Sequence, residues 1–260
     1  LFVFIMDSKL KKKVLNKIKE IYPEISTKDI IVLFGSRAKG FFVKDSDIDT
    51  MIFTNNYDYF KKISIEKGLR KSGEDAGFEI RLDNGLLLEA KIQHLKIPKF
   101  EVMFYHDILS AQPLTSVNSF KIFQKKTKNE FMKNYEDLLF NSYVHFFNEF
   151  KNLEGISKRK DKLSKINLSM KKGIVIQALF RLILVMEKRP FTFDKYLAHE
   201  VSETKHWKKV SNFVRQINEI NSFEDYTKVK IIVRGYIDST MPKKPYVSNW
   251  WKFLKKFKGF

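Results

Sequence analysis

Between Leu33 and Phe53 the chain reads LFGSRAKGFFVKDSDIDTMIF. Apolar, β-branched runs flank this stretch, DIIVLF on one side and IDTMIF on the other. Each has the length and residue type of a buried strand. The segment is therefore a strand, a Gly-Ser turn, ten residues, and a second strand that opens with Asp47 and Asp49. Residues two apart on a strand share a face. Two carboxylates so placed repel each other and lose hydration when buried unpaired. A divalent cation resolves both problems. An oxygen-only donor set suits Mg²⁺, which binds one or two carboxylates together with substrate phosphates.

The rest of the stretch supplies what a phosphate needs. Gly35 permits a tight turn and close backbone approach. Ser36 offers a hydroxyl and an N–H at an expected helix start, where anions are favoured. A phosphate cradle and a carboxylate pair are the parts that phosphoryl-type transfer requires. Two Mg²⁺ ions held by shared carboxylates would activate an attacking hydroxyl and stabilise leaving pyrophosphate. A third carboxylate would complete such a site or act as base. Glu89 is the first candidate, four residues beyond Gly85 in the expected hairpin GFEIRLDNGLLLEAKIQHL; Glu101 and Glu79 are the others. Arg37 either contacts phosphate or holds the turn.

GSRAKG…SDIDTMIF resembles the signature of the DNA polymerase β-type nucleotidyltransferase superfamily over residues 28–105. The resemblance implies transfer of a nucleoside monophosphate from a nucleoside triphosphate, ATP being the expected one, with release of pyrophosphate. It implies that Gly35 and Ser36 hold the triphosphate, and that Asp47, Asp49 and Glu89 are catalytic and bind Mg²⁺. The family often has Asp where this chain has Glu89. The C-terminal half resembles the helical domains of antibiotic adenylyltransferases, and on that analogy Lys195 reaches phosphate.

The fold expected is α+β: a mixed-sheet nucleotidyltransferase domain over residues 1–115, then an all-α helical bundle over 116–260. Strand signals, including KFEVMFY as a further strand, stop near residue 115 and helical spacing takes over. NEFMKNYEDLLFNSYVHFFNEFKNL reads as one helix with an aromatic core stripe, and GIVIQALFRLILVM as a buried helix with Arg181 facing a cleft or solvent. Asp225, three residues after Ser222, marks a capping box. The histidines lack metal spacing and are expected on the surface or in the core.

Charge adds a partner. The net charge is +19, and it is uneven. Residues 1–110 carry 19 Lys and Arg against 16 Asp and Glu, whereas 111–260 carry 30 against 14. A strongly basic half points to a polyanion such as RNA or tRNA. It opposes a polycationic drug as acceptor; a protein acceptor is a further alternative, as is a non-catalytic RNA-binding protein on a transferase scaffold. A cognate antitoxin is an expected partner of a toxin-like enzyme. With no cysteine, disulfides and thiolate chemistry are excluded, which fits a cytoplasmic protein. The leading LFVFIM is too short for a membrane span, so no stable membrane insertion is expected. The aromatic and basic tail, with Trp250, Trp251, Phe253 and Phe257, would pack on the bundle, stack RNA bases or sit on a membrane surface.

Overall fold

The computed structural model describes residues 7–69, 76–97, 102–159, 161–191 and 194–241. Glu101, the first six residues and the aromatic tail lie outside them. The chain divides into two compact units, Leu1–Phe131 and Met132–Phe260.

In the first unit, helix α1 (Ser8–Ile21) forms because Val14, Ile18 and Ile21 recur at helical spacing and are buried together. Its cap is Asp7, whose carboxylate accepts a hydrogen bond from the Lys9 N–H at 3.2 Å. Then come β1 (Ile30–Leu33), α2 (Gly35–Lys39), β2 (Ile48–Thr54), α3 (Tyr57–Glu66), β3 (Gly77–Arg81), β4 (Leu87–His94), α4 (Val102–Ser110), β5 (Gln112–Pro113) and α5 (Val117–Lys133). The five strands form one mixed sheet in the order β3-β4-β2-β1-β5. β2 runs parallel to β4, and the other neighbours are antiparallel. The β3–β4 hairpin turns as expected, with Gly85 at φ 81° where glycine is favoured.

Both faces of the sheet are covered. Ile31, Leu33, Ile48, Ile52 and Leu88 pack on Val14 and Ile18 of α1 and on Phe60 of α3. Ile30, Val32, Phe34, Met51 and Phe53 pack with Ile108 of α4 and with Phe120 and Phe123 of α5. One expectation changes here. The stretch read as strand KFEVMFY is helical from Val102 onward. A short apolar run fits either period, and burial of Tyr105 and Ile108, three residues apart, selects the helix. The helix that follows residue 115 places Phe120 and Phe123 in the core of this first unit.

The second unit holds α6 (Tyr135–Ser157), α7 (Lys162–Met186), α8 (Asp194–Ser202), α9 (Trp207–Glu219) and α10 (Phe223–Thr240). The helix expected to run through Asn134 breaks there into α5 and α6, at φ −98° and ψ 2°; asparagine competes for backbone hydrogen bonds and favours such breaks. The aromatic stripe of α6 is packing: Phe146 and Phe150 stack at 5.6 Å between centroids, and Tyr226 of α10 lies 5.4 Å from Phe150. The last turns of α7 are buried from Ala178 to Met186 except at Arg181. Ser222 and Asp225 form the reciprocal capping box of α10. His206 is a core histidine, with Nε2 2.7 Å from Glu187 Oε1 and Nδ1 2.6 Å from the Tyr236 hydroxyl. No helix among the described residues is long and apolar enough to cross a membrane.

Candidate active site

The site is built where β1 ends and β2 begins. The Phe34 N–H donates to the Asp49 carbonyl at 3.0 Å, extending the β1–β2 ladder to the turn. Gly35 follows at φ 68°. Its Cα faces the Asp49 carboxylate so closely that a Cβ would overlap Oδ2 and stand 3.0 Å from Cγ. Glycine is therefore required here twice, by backbone conformation and by space. α2 begins at this glycine, and no side chain caps it. First-turn N–H groups have no partner within a helix, so the start of α2 presents donors beside Asp49. Ser36 is buried in the same turn.

Asp47 is exposed, just ahead of β2, and Asp49 is half-buried within it. The residues between α2 and Asp47 are held by Arg37. Its Nε donates to the carbonyls of Ser46 and Asp47, each at 3.0 Å, and its Nη2 donates to Ser46 at 2.6 Å and Lys44 at 3.3 Å. The guanidinium also lies 4.9 Å from the Phe42 ring centroid. Burial pushes its pKa down, while the charges of Asp47 and Asp49 oppose that shift. Arg37 is thus a positioning residue for Asp47. Lys39, at the end of α2, approaches His106 Nδ1 of α4 at 3.3 Å.

Glu89 arrives through strand register. Asp49 is paired with Glu89 across the parallel β2–β4 ladder, and Glu89 with Glu79 across the hairpin. Register partners share a face, so the three acids form a row across the sheet. The buried Thr50 hydroxyl donates to the Glu89 carbonyl at 3.0 Å, fixing that strand beside β2. The Glu89 side chain meets Lys91 Nζ at 3.4 Å, and Lys91 in turn lies 5.9 Å from the Phe34 ring centroid. Lys91 was not among the expected site residues. Its signal was parity, since it shares a face with Glu89 two residues away.

Among the described residues, no group of three or more His, Asp or Glu side chains converges to hold a metal ion. The backbone brings three carboxylates to one face, while the Glu89 carboxylate is drawn towards Lys91. This still fits Mg²⁺, which rarely uses an all-protein cage and is completed by waters and substrate phosphates. Asp47 and Asp49 supply the one or two carboxylates needed, next to the donors of α2.

The first unit thus brings together Gly35, Ser36, Arg37, Asp47, Asp49 and Glu89. Lys195 belongs to the second unit, exposed on α8, with Nζ 4.8 Å from the centroid of the Tyr196 ring. Arg181 in the same unit pairs with Asp194 at 2.6 Å and lies over Phe191.

A family model described as "Nucleotidyltransferase domain" matches residues 11–192. Comparison with curated proteins finds no match. Among solved structures, a nucleotidyltransferase-like protein from Exiguobacterium sibiricum 255-15 is similar over 89% of this chain and 77% of its own, at 11% identity and a TM-score of 0.46. A cytoplasmic RNA terminal U-transferase is similar over 73% of this chain at 15% identity and a TM-score of 0.30; the match covers 53% of that protein. The matched family region contains the Gly-Ser turn, the Asp pair and the Glu89 hairpin, and the chain belongs to the nucleotidyltransferase domain family of the DNA polymerase β-type superfamily.

Proposed function

We propose that this nucleotidyltransferase moves a nucleoside monophosphate, most simply AMP from ATP, onto RNA in a Mg²⁺-dependent reaction. The carrying observation is the contact of Gly35 with the Asp49 carboxylate, which sets the donors of α2 against the acid pair. The triphosphate lies along the turn at Gly35 and Ser36. Bound Mg²⁺ neutralises phosphate charge and lowers the pKa of an attacking hydroxyl; Asp47 and Asp49 would hold it. An acceptor oxygen forms a bond to the α-phosphorus, the α–β phosphoanhydride bond breaks, and pyrophosphate leaves. Glu89, beside Asp49 in the ladder and held by Lys91, takes the hydroxyl proton. The excess of Lys and Arg over residues 111–260 favours a polyanionic acceptor.

The test incubates purified protein with Mg²⁺ and each α-³²P nucleoside triphosphate, with total RNA, with aminoglycosides, or with no added acceptor. Label is expected in RNA. The Asp47→Ala/Asp49→Ala variant should lose transfer by at least about two to three orders of magnitude and keep its fold, because removing two like charges relieves repulsion. Label on a drug or on protein overturns the acceptor. Full activity in the variant overturns the metal assignment. Mg²⁺-independent RNA binding without any transfer identifies a binding protein instead.

A further inference from the structure

A pocket of about 440 Å³ opens on the first unit, away from the carboxylates but on the same face of the sheet. Its lining combines the apolar Ile30, Leu95, Ile122 and Phe123 with Lys28 and Lys126. The register fixes its position. Ile30 pairs with Phe53, and the Leu95 N–H donates to the Thr54 carbonyl, so this is the end of β2 opposite to Asp49. Four strand residues from Asp49 to Phe53 span about 13 Å. The pocket is therefore separate from the Gly35–Asp49 site that takes the triphosphate.

Its chemistry defines an occupant. The volume lies in the range of pockets that hold small organic groups. An apolar lining that includes a phenylalanine accepts a flat, weakly polar ring. No acidic side chain lines the pocket, and both charged lining residues are cations. The same helix continues the charge outward with the exposed Lys121, Lys125 and Lys128. A single-headed anionic amphiphile would use the apolar lining and one or two lysines and leave that row unmatched. A nucleotide within a single strand uses all of it, with its base on the apolar lining and successive phosphates along the lysines.

Resting on the reading of RNA as acceptor, we infer that this pocket holds an upstream nucleotide of the acceptor strand, with its base on Ile122 and Phe123 and its phosphates on Lys28 and Lys126. It would then anchor the strand at one end of the sheet face while the reacting end lies at the other.

The test is binding of a fluorescein-labelled twelve-nucleotide oligouridine to the full chain, without Mg²⁺ or nucleoside triphosphate. Lys28→Glu/Lys126→Glu should raise Kd at least about tenfold and reduce the salt slope by about 1.4, the value for two single-strand phosphates. Ile122→Asp, at a position already 59% exposed, should also raise Kd. Lys12→Glu/Lys13→Glu, exposed on α1 at the opposite face of the sheet, should do so far less. Equal losses in the two lysine pairs would reduce the effect to diffuse attraction and overturn the pocket. So would an absence of RNA binding, or dodecanoate binding that the pocket variants abolish while RNA binding stays unchanged. Pocket-dependent RNA binding without label transfer would sink the proposed function and leave the pocket standing. Transfer to RNA with an unchanged KM in the pocket variants would do the reverse.

Discussion

Gly35 carries two requirements at once. At φ 68° an L side chain costs about 1–2 kcal/mol, and a Cβ there would overlap the Asp49 carboxylate. Gly35→Ala should therefore lower stability by about 1–3 kcal/mol and cut transfer by about a hundredfold or more, since Asp49 must move. Urea unfolding and initial rates measure the two separately; a wild-type rate would show that the close contact has no catalytic role. Arg37 is the second such residue. Lysine keeps the charge but lacks the fork that spans the Lys44, Ser46 and Asp47 carbonyls. Arg37→Lys should raise the Mg²⁺ concentration for half-maximal transfer by about tenfold, as loss of an outer positioning partner does. An unchanged Mg²⁺ titration would mean that Asp47 does not depend on this loop. The place of Asp49 at the opening of β2 was legible in the sequence because strand parity is local, whereas Asp47, expected on the same strand, lies just ahead of it where Arg37 holds its carbonyl. The proximity of Glu89 to Asp49 was legible only as a spacing after Gly85; the ladder supplies the contact. The pull of Lys91 on Glu89 was not legible, because it depends on side-chain rotamers and not on chain spacing.

At the scale of elements, legibility follows how much of the stabilising pattern is local. α10 was readable at its start, since a capping box is written in two residues. Asp225 accepts from the N–H groups of Asn221 and Ser222, and Asn221 is the leading cause of its depressed pKa. The sign is fixed: a carboxylate whose folded pKa is lowered adds stability above its unfolded value, about 3.9. That contribution is lost as pH falls through the folded pKa. Asp225→Asn should thus be less stable than wild type at pH 7 and lose less stability between pH 5 and pH 2, as followed by circular dichroism in urea. Parallel curves would show that the cap contributes nothing through its charge. α4 was misread as a strand because its apolar run is too short for its period to decide, and Tyr105 against Phe131 of α5, 6.1 Å between centroids, is a contact no local pattern announces. The break at Asn134 escaped for a related reason: hydrophobic spacing runs through it, while the backbone departs at one residue.

For the whole molecule the governing quantity is charge. A net +19 over 260 residues is far from neutrality, and most of the excess falls after residue 110, where the helices begin to dominate. Such a charge stabilises no fold; it costs self-repulsion and acts on partners. An RNA acceptor held by four or so phosphate contacts should show a logarithmic salt slope near −2.8. Between 0.05 and 0.2 M salt its KM should then rise roughly fiftyfold. On the proposed geometry the nucleoside triphosphate would be held by turn donors and its charge largely offset by a carboxylate-held ion, so its KM should change much less. Steady-state rates with each substrate varied at several salt concentrations separate the two. A steep slope confined to the acceptor would identify a polyanion bound by the basic surface. A flat acceptor slope, with transfer intact, would require a small or neutral acceptor and would leave the charge of the helical half to another partner.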